Sequence, residues 1–176
     1  GGAMALRLDR PVSGPGDLAA ALDVPMGPGY AALRLEAPTG DPDRLLGSGH
    51  WEAAAWVGAQ GKSPVPLGAA SWHLAAGGLR TAGSEVLPAR HRREAAFARA
   101  AIAWAPRPVL ALRAQFDAHT PLYRSPLDPI GGAGGELRLG GRIRLPGELR
   151  LDLGVSEDIR VESAPDITFH VGLSRE

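Results

Sequence analysis

The sequence contains no cysteine. Disulfide staples and cysteine metal sites are therefore excluded, and cysteine use says nothing about compartment. Neither sign of charge is in surplus: 19 Lys and Arg stand against 19 Asp and Glu, for a net charge of 0. A nucleic-acid partner would need a basic surface, so none is expected. No apolar run approaches the roughly 20 residues of a membrane-crossing helix. The opening GGAMALRLDR carries charges at short intervals around no apolar core, so it does not read as a secretion signal. That pattern fits a cytosolic protein, or a mature or truncated piece of an exported one. His50, His73, His91, His119 and His170 show no metal-ligand spacing, and no metal is expected. Gly131–Gly135 lacks the GK[ST] ending of a phosphate loop, and no dinucleotide fingerprint occurs, so no cofactor is expected.

What the sequence does have is alternation. From Gly134 to Asp158, Leu137, Leu139, Ile143 and Leu145 share one parity, and Glu136, Arg138, Arg142 and Arg144 share the other. After Pro146-Gly147 the beat resumes, with Leu149, Leu151, Leu153 and Val155 against Arg150, Asp152 and Ser156. Leu110–His119, Ile167–Arg175 and Ala31–Ala37 behave alike. Period two is a strand signal, because successive side chains point to opposite faces. The stretch His91–Ala105 is helical by propensity, yet its alanines, Ile102 and Trp104 fit period two equally well.

About nine strands are expected, near 17–24, 29–37, 50–60, 65–76, 95–104, 109–119, 135–145, 148–156 and 166–175, with 1–16 poorly defined. The connections alternate short and long along the chain, with 24 Gly and 16 Pro to turn them. Tight turns at one end and long polar loops at the other are the layout of an outer-membrane barrel. The fold expected is thus all-β: one domain over 1–176, an antiparallel up-and-down meander forming an outer-membrane-type transmembrane β-barrel. Bacterial barrels have even strand numbers, so an N-terminally truncated portion is expected.

The string LRLEAPTGDPDRLLGSGHWEAAAWVG, Leu33–Gly58, resembles a segment of Gram-negative outer-membrane channel-like proteins, including the family named for the meta pathway of phenol degradation. QFDAHTPLYRSPLDPIGGAGGELRLGGRIRL and LDLGVSEDIRVESAPDITFHVGLSRE resemble an uncharacterised proteobacterial outer-membrane β-barrel family of unknown function. The likeness implies the fold and a Gram-negative outer-membrane location, and it implies no activity. The ending LSRE departs from the terminal aromatic residue common in such barrels.

In a barrel with lipid outside, Arg34, Glu36, Glu52, Arg99, Arg113, Asp117, Glu136, Arg138, Arg142, Arg144, Arg150 and Asp152 would line the lumen. They would either border an aqueous path with a mild preference for anions or form a cross-strand ion-pair network. Trp51, Trp72 and Trp104 have outward parity and are candidate membrane-interface anchors, whereas Trp56 falls on the inward parity. Packing in a soluble core is the alternative reading. Arg90, His91, Arg92 and Arg93 sit in a long loop, solvated or touching anionic surface lipid. Ser156, Asp158, His119 and Asp117 gather near one end, but the sixth and eighth strands are about 10 Å apart in a meander. No GxSxG element is present, and an enzyme is not expected. The function expected is an outer-membrane barrel, with outer-membrane lipid as partner and passage of small-molecule solutes as its activity. The alternatives are a soluble barrel or sandwich binding an apolar ligand, and a structural barrel that transports nothing.

Overall fold

The computed structural model describes residues 13–44, 46–83, 89–126, 131–159 and 167–175. Nine strands are found: β1 (Leu18–Met26), β2 (Gly29–Ala37), β3 (Glu52–Pro64), β4 (Ala69–Thr81), β5 (Glu94–Arg107), β6 (Leu110–His119), β7 (Gly134–Leu145), β8 (Leu149–Asp158) and β9 (Thr168–Arg175). They form one antiparallel sheet in chain order, so the fold is the expected all-β up-and-down meander. β1 and β9 each pair with one neighbour and not with one another, which leaves the sheet open. The N-terminal segment up to residue 12 lies outside the described residues.

The turns segregate as the sequence pattern requires. Residues 27–28, 65–68, 108–109 and 146–148 make the short connections at one end, and 38–51, 82–93, 120–133 and 159–167 the long ones at the other. Gly27 (φ 61°) and Gly147 (φ 76°) supply left-handed backbone where two of the tight turns need it.

The stretch expected to waver between helix and strand is β5. Its ladder with β4 runs unbroken from Ala69↔Ala105 to Arg80↔Glu94, and β6 pairs along the other edge. Pairing on both sides overrides the helical preference of its alanines. The register against β6 shifts between Trp104 and Arg107. Pro106 sits at this shift, where its missing N–H is tolerated.

β3 and β4 are longer than the expected spans, because glycines that read as punctuation lie inside strands. Four of them face an aromatic or imidazole ring directly across the ladder: Tyr30↔Gly58, Gly61↔Trp72, Trp56↔Gly77 and His119↔Gly134. At each, a Cβ would run into the partner side chain. The ring covers the backbone that glycine leaves bare, and the pair stabilises a strand that neither residue marks alone.

The register sorts the side chains into two faces. Leu22, Leu33, Val57, Leu74, Ile102, Phe116, Leu139 and Leu153 share one, and most charged strand residues share the other, with exceptions near strand ends such as Arg80, Glu94, Glu157 and Arg175. The apolar face is the exposed one: Leu139 is 46% exposed, Phe116 42% and Phe169 79%. In β5 every described residue of apolar parity from Glu94 to Trp104 is exposed, while Ala95, Phe97, Ala101 and Ala103 on the other face are buried or half-buried. The only buried apolar residues among those described are Ala32 (6%) and Ala95 (7%), and both lie on the charged face. Contacts between strands two apart, Tyr30 with His73 and Trp56 with Phe97, occur on the charged face, as they would where that face is concave. Side chains converge on the inner side and spread on the outer.

Candidate functional site

The charged face is the site the fold defines. All of the expected inward residues fall on it: Arg34 and Glu36 on β2, Glu52 on β3, Arg99 on β5, Arg113 and Asp117 on β6, Glu136, Arg138, Arg142 and Arg144 on β7, and Arg150 and Asp152 on β8. Trp72 and Trp104 lie on the opposite face, and Trp51 precedes β3 with the same parity. Trp104 donates its indole N–H to the Leu67 carbonyl at 2.8 Å, which ties β5 to the β3–β4 turn.

Most of these charges are matched. Arg34 reaches Glu36 at 2.6 Å, and Arg99 reaches Asp117 at 2.5 Å. Arg138 grips Glu136 through two bonds of 2.7 Å each, and Arg142 meets Asp152 across the β7–β8 ladder at 2.8 Å. Gln115 adds a bond of 2.6 Å to Asp117. Arg144 donates to the Pro108 carbonyl at 3.4 Å. Glu36 and Glu52 stand directly opposite one another near the long loops. The pair Arg142 and Asp152 has side chains 40% and 42% exposed, so a double-mutant cycle on it in water should read only about 0.2–1 kcal/mol.

Two contacts on this face were not legible from the chain. The Tyr30 hydroxyl lies 2.7 Å from His73 Nε2, with the two rings stacked over the intervening Gly58. Trp56, which sequence parity turns inward, tilts against Phe97 with ring centroids 6.3 Å apart. These side chains border a recess of ≈ 890 Å³. Both contacts join strands two apart in the sheet, and glycine on the middle strand permits the crossing.

Ser156, of the grouping that gave no expectation of catalysis, has a different neighbour. Ser156 Oγ lies 3.2 Å from His170 Nε2 on the adjacent strand, and His119 instead contacts the Thr120 carbonyl at 2.9 Å. Serine hydrolysis would also need a group that orients the imidazole from Nδ1. None is found at His170 among the described residues. Among the described residues, no three His, Asp or Glu side chains converge as a metal site.

The long-loop end is built around Asp17, which no motif in the chain marks. Its carboxylate accepts from the Ser48 N–H at 2.6 Å and the Gly40 N–H at 2.9 Å. This explains the PTGD and GSG elements: they bring two backbone donors to one acid, and a side chain at Gly47 would collide with that acid. The amides of Ser48, then Gly40, hold the Asp17 carboxyl below the ordinary carboxylate range. A depressed pKa in the folded state means the stabilising contribution is full above the unfolded value and is lost as pH falls through the folded one. Protection of the Gly40 and Ser48 amides against hydrogen exchange, relative to their intrinsic rates, should therefore be full at neutral pH and be lost only as the pH falls below the ordinary carboxylate range. In Asp17→Asn that loss of protection should already be present at neutral pH. Unchanged protection in that variant would remove Asp17 from this role.

The basic loop lies beside another long loop. His91 bridges Tyr123 in a short antiparallel contact, supported by Arg92 N–H to Leu122 carbonyl at 2.8 Å and Arg124 N–H to Arg90 carbonyl at 2.7 Å. Leu87 and Pro88 of the same stretch lie outside the described residues.

Fold and site together define a class: an antiparallel meander sheet with an exposed apolar face and an ion-paired charged face. Residues 29–176 match the family described as a protein of unknown function (DUF3187), and the chain belongs to that family. No curated protein matches the chain.

Proposed function

We propose that this chain forms part of the wall of an outer-membrane β-barrel in a Gram-negative bacterium, with its charged face turned to an aqueous lumen that passes small solutes. The observation that carries the reading is the inversion of burial. Leucines and aromatics cover the exposed face, whereas the few buried residues sit among the charges. Water does not favour that arrangement, and hydrocarbon does. The segregated short and long connections and the tryptophans of outward parity support the same assignment. A soluble sandwich would need a second layer over the apolar face, and the nine strands lie in one sheet. The likeness to outer-membrane channel-like proteins, carried by Leu33–Gly58, points the same way.

The test is fractionation of the full-length gene product, followed by conductance. The protein should enter the outer-membrane fraction and require detergent for extraction. Recovery in the aqueous phase without detergent would refute the membrane assignment. Reconstituted in a planar bilayer, it should carry a voltage-driven current. A protein that inserts and carries none would be a structural barrel.

A further inference from the structure

We infer that the charged face contains a binding station for small carboxylate anions, centred on Arg113, with Lys62 three strands away on the border of the same recess. The inference rests on the barrel reading, whose solute it names.

The ladder register lines up residues of the charged face in rows that cross the sheet. One row runs Lys62, Ser71, Ala103, Arg113, Gly140, Gly154 and His170, each paired with the next. The next row toward the long loops runs Gln60, His73, Ala101, Gln115, Arg138, Ser156 and Thr168. Neither row contains an aspartate or a glutamate. Rows on one face are two residues apart, so together they make an acid-free belt about 7 Å deep. The acids begin one row higher, at Asp117, Glu136 and Asp158. Arg99 and Arg138 are already bound to the first two of these. Below the belt the only acid on this face among the described strand residues is Asp152, against Arg142, Arg144 and Arg150.

Within the belt, Arg113 and Lys62 have no carboxylate partner among the described residues. Lys62 is also the only lysine of the chain. The floor around Arg113 is kept low by Ala103 on one side and Gly140 with Gly154 on the other. Recesses of ≈ 600 Å³ and ≈ 610 Å³ open on either flank, and Arg113 borders both. A guanidinium presents a planar fork of donors that fits a carboxylate edge-on. Ser71 supplies a hydroxyl in the same row, next to Lys62. A cation without a counter-charge, on small residues and in a groove with low-dielectric walls, concentrates anions. An ordinary ion-pair lattice would have placed an acid opposite Arg113, where Ala103 and Gly140 stand instead.

The experiment uses the complete protein in planar bilayers under a potassium acetate gradient. The wild type should show a reversal potential of the sign for acetate permeation, and Arg113→Glu with Lys62→Glu should invert that sign. Arg113→Gln, the milder change, should bring the potential toward zero. Arg80→Gln, on the opposite face, serves as the control. A wild type that prefers potassium, or a potential indifferent to Arg113, overturns the inference. Absence of any current defeats the channel reading instead. The station is then decided by saturation-transfer NMR of acetate with the detergent-solubilised protein. Transfer that disappears in Arg113→Gln supports it, and no transfer in the wild type overturns it.

Discussion

Leu139→Arg should prevent stable assembly in lipid. Leu139 lies near the middle of β7, pairs with Ala114 and Val155, and is 46% exposed on the apolar face. An arginine at the midplane of a transmembrane barrel's outer surface is destabilising by about 2–4 kcal/mol. That is a large part of the 5–15 kcal/mol that holds a typical domain together. Refolding into vesicles, followed by protease protection, should give a markedly lower folded fraction than wild type. Arg175, at the short-turn end of the same face, marks where such a charge is accommodated. The measurement also separates solvents by sign. If water bathed this face, arginine for an exposed leucine would change stability by only about 0.5 kcal/mol and would raise solubility. Normal insertion of Leu139→Arg would sink the lipid assignment.

Gly77→Val should unfold the middle of the sheet, while Gly78→Val beside it should be tolerated. A Cβ at Gly77 would overlap the Ala55 carbonyl oxygen and the Trp56 Cβ, so β3 itself would have to move. At Gly78 the nearest atom to a new Cβ is the Ala95 carbonyl oxygen at 3.5 Å, an ordinary contact. Overpacking of the first kind costs about 1–3 kcal/mol. Displacing Trp56 would also break its contact with Phe97. Denaturant midpoints of the two variants in detergent should therefore diverge, with a shifted tryptophan emission in Gly77→Val only. Equal midpoints would mean that the ring-over-glycine pairs do not hold the strands in register.

Much of this architecture is written in the chain at short range. Alternation in Gly134–Asp158 is enough to place β7 and β8, because period two is a property of one strand and needs no partner. The face carrying Arg138 and Asp152 follows from the same parity. The rest depends on partners distant in sequence. Gly61 and Gly77 resemble loop residues until Trp72 and Trp56 are seen across the ladder, so β3 and β4 extend beyond their legible spans. Asp17 is one acid among many until the chain brings Gly40 and Ser48 to it. Arg113 looks like any other inward arginine. What distinguishes it is the absence of acids on either side, and that depends on the register of strands β5 to β7.

The bare rims of β1 and β9 have a thermodynamic consequence. Along β1, nine residues long, and β9, eight residues long, every second residue presents backbone groups that no neighbouring strand in this sheet receives. Hydrocarbon cannot solvate such groups, so burial in a bilayer has to be simultaneous with seam closure rather than precede it. On the proposed barrel reading, insertion of this sheet would therefore be all-or-none with respect to closure of its two rims. A polypeptide stalled before that junction would propagate ribbons edge to edge instead of dissolving.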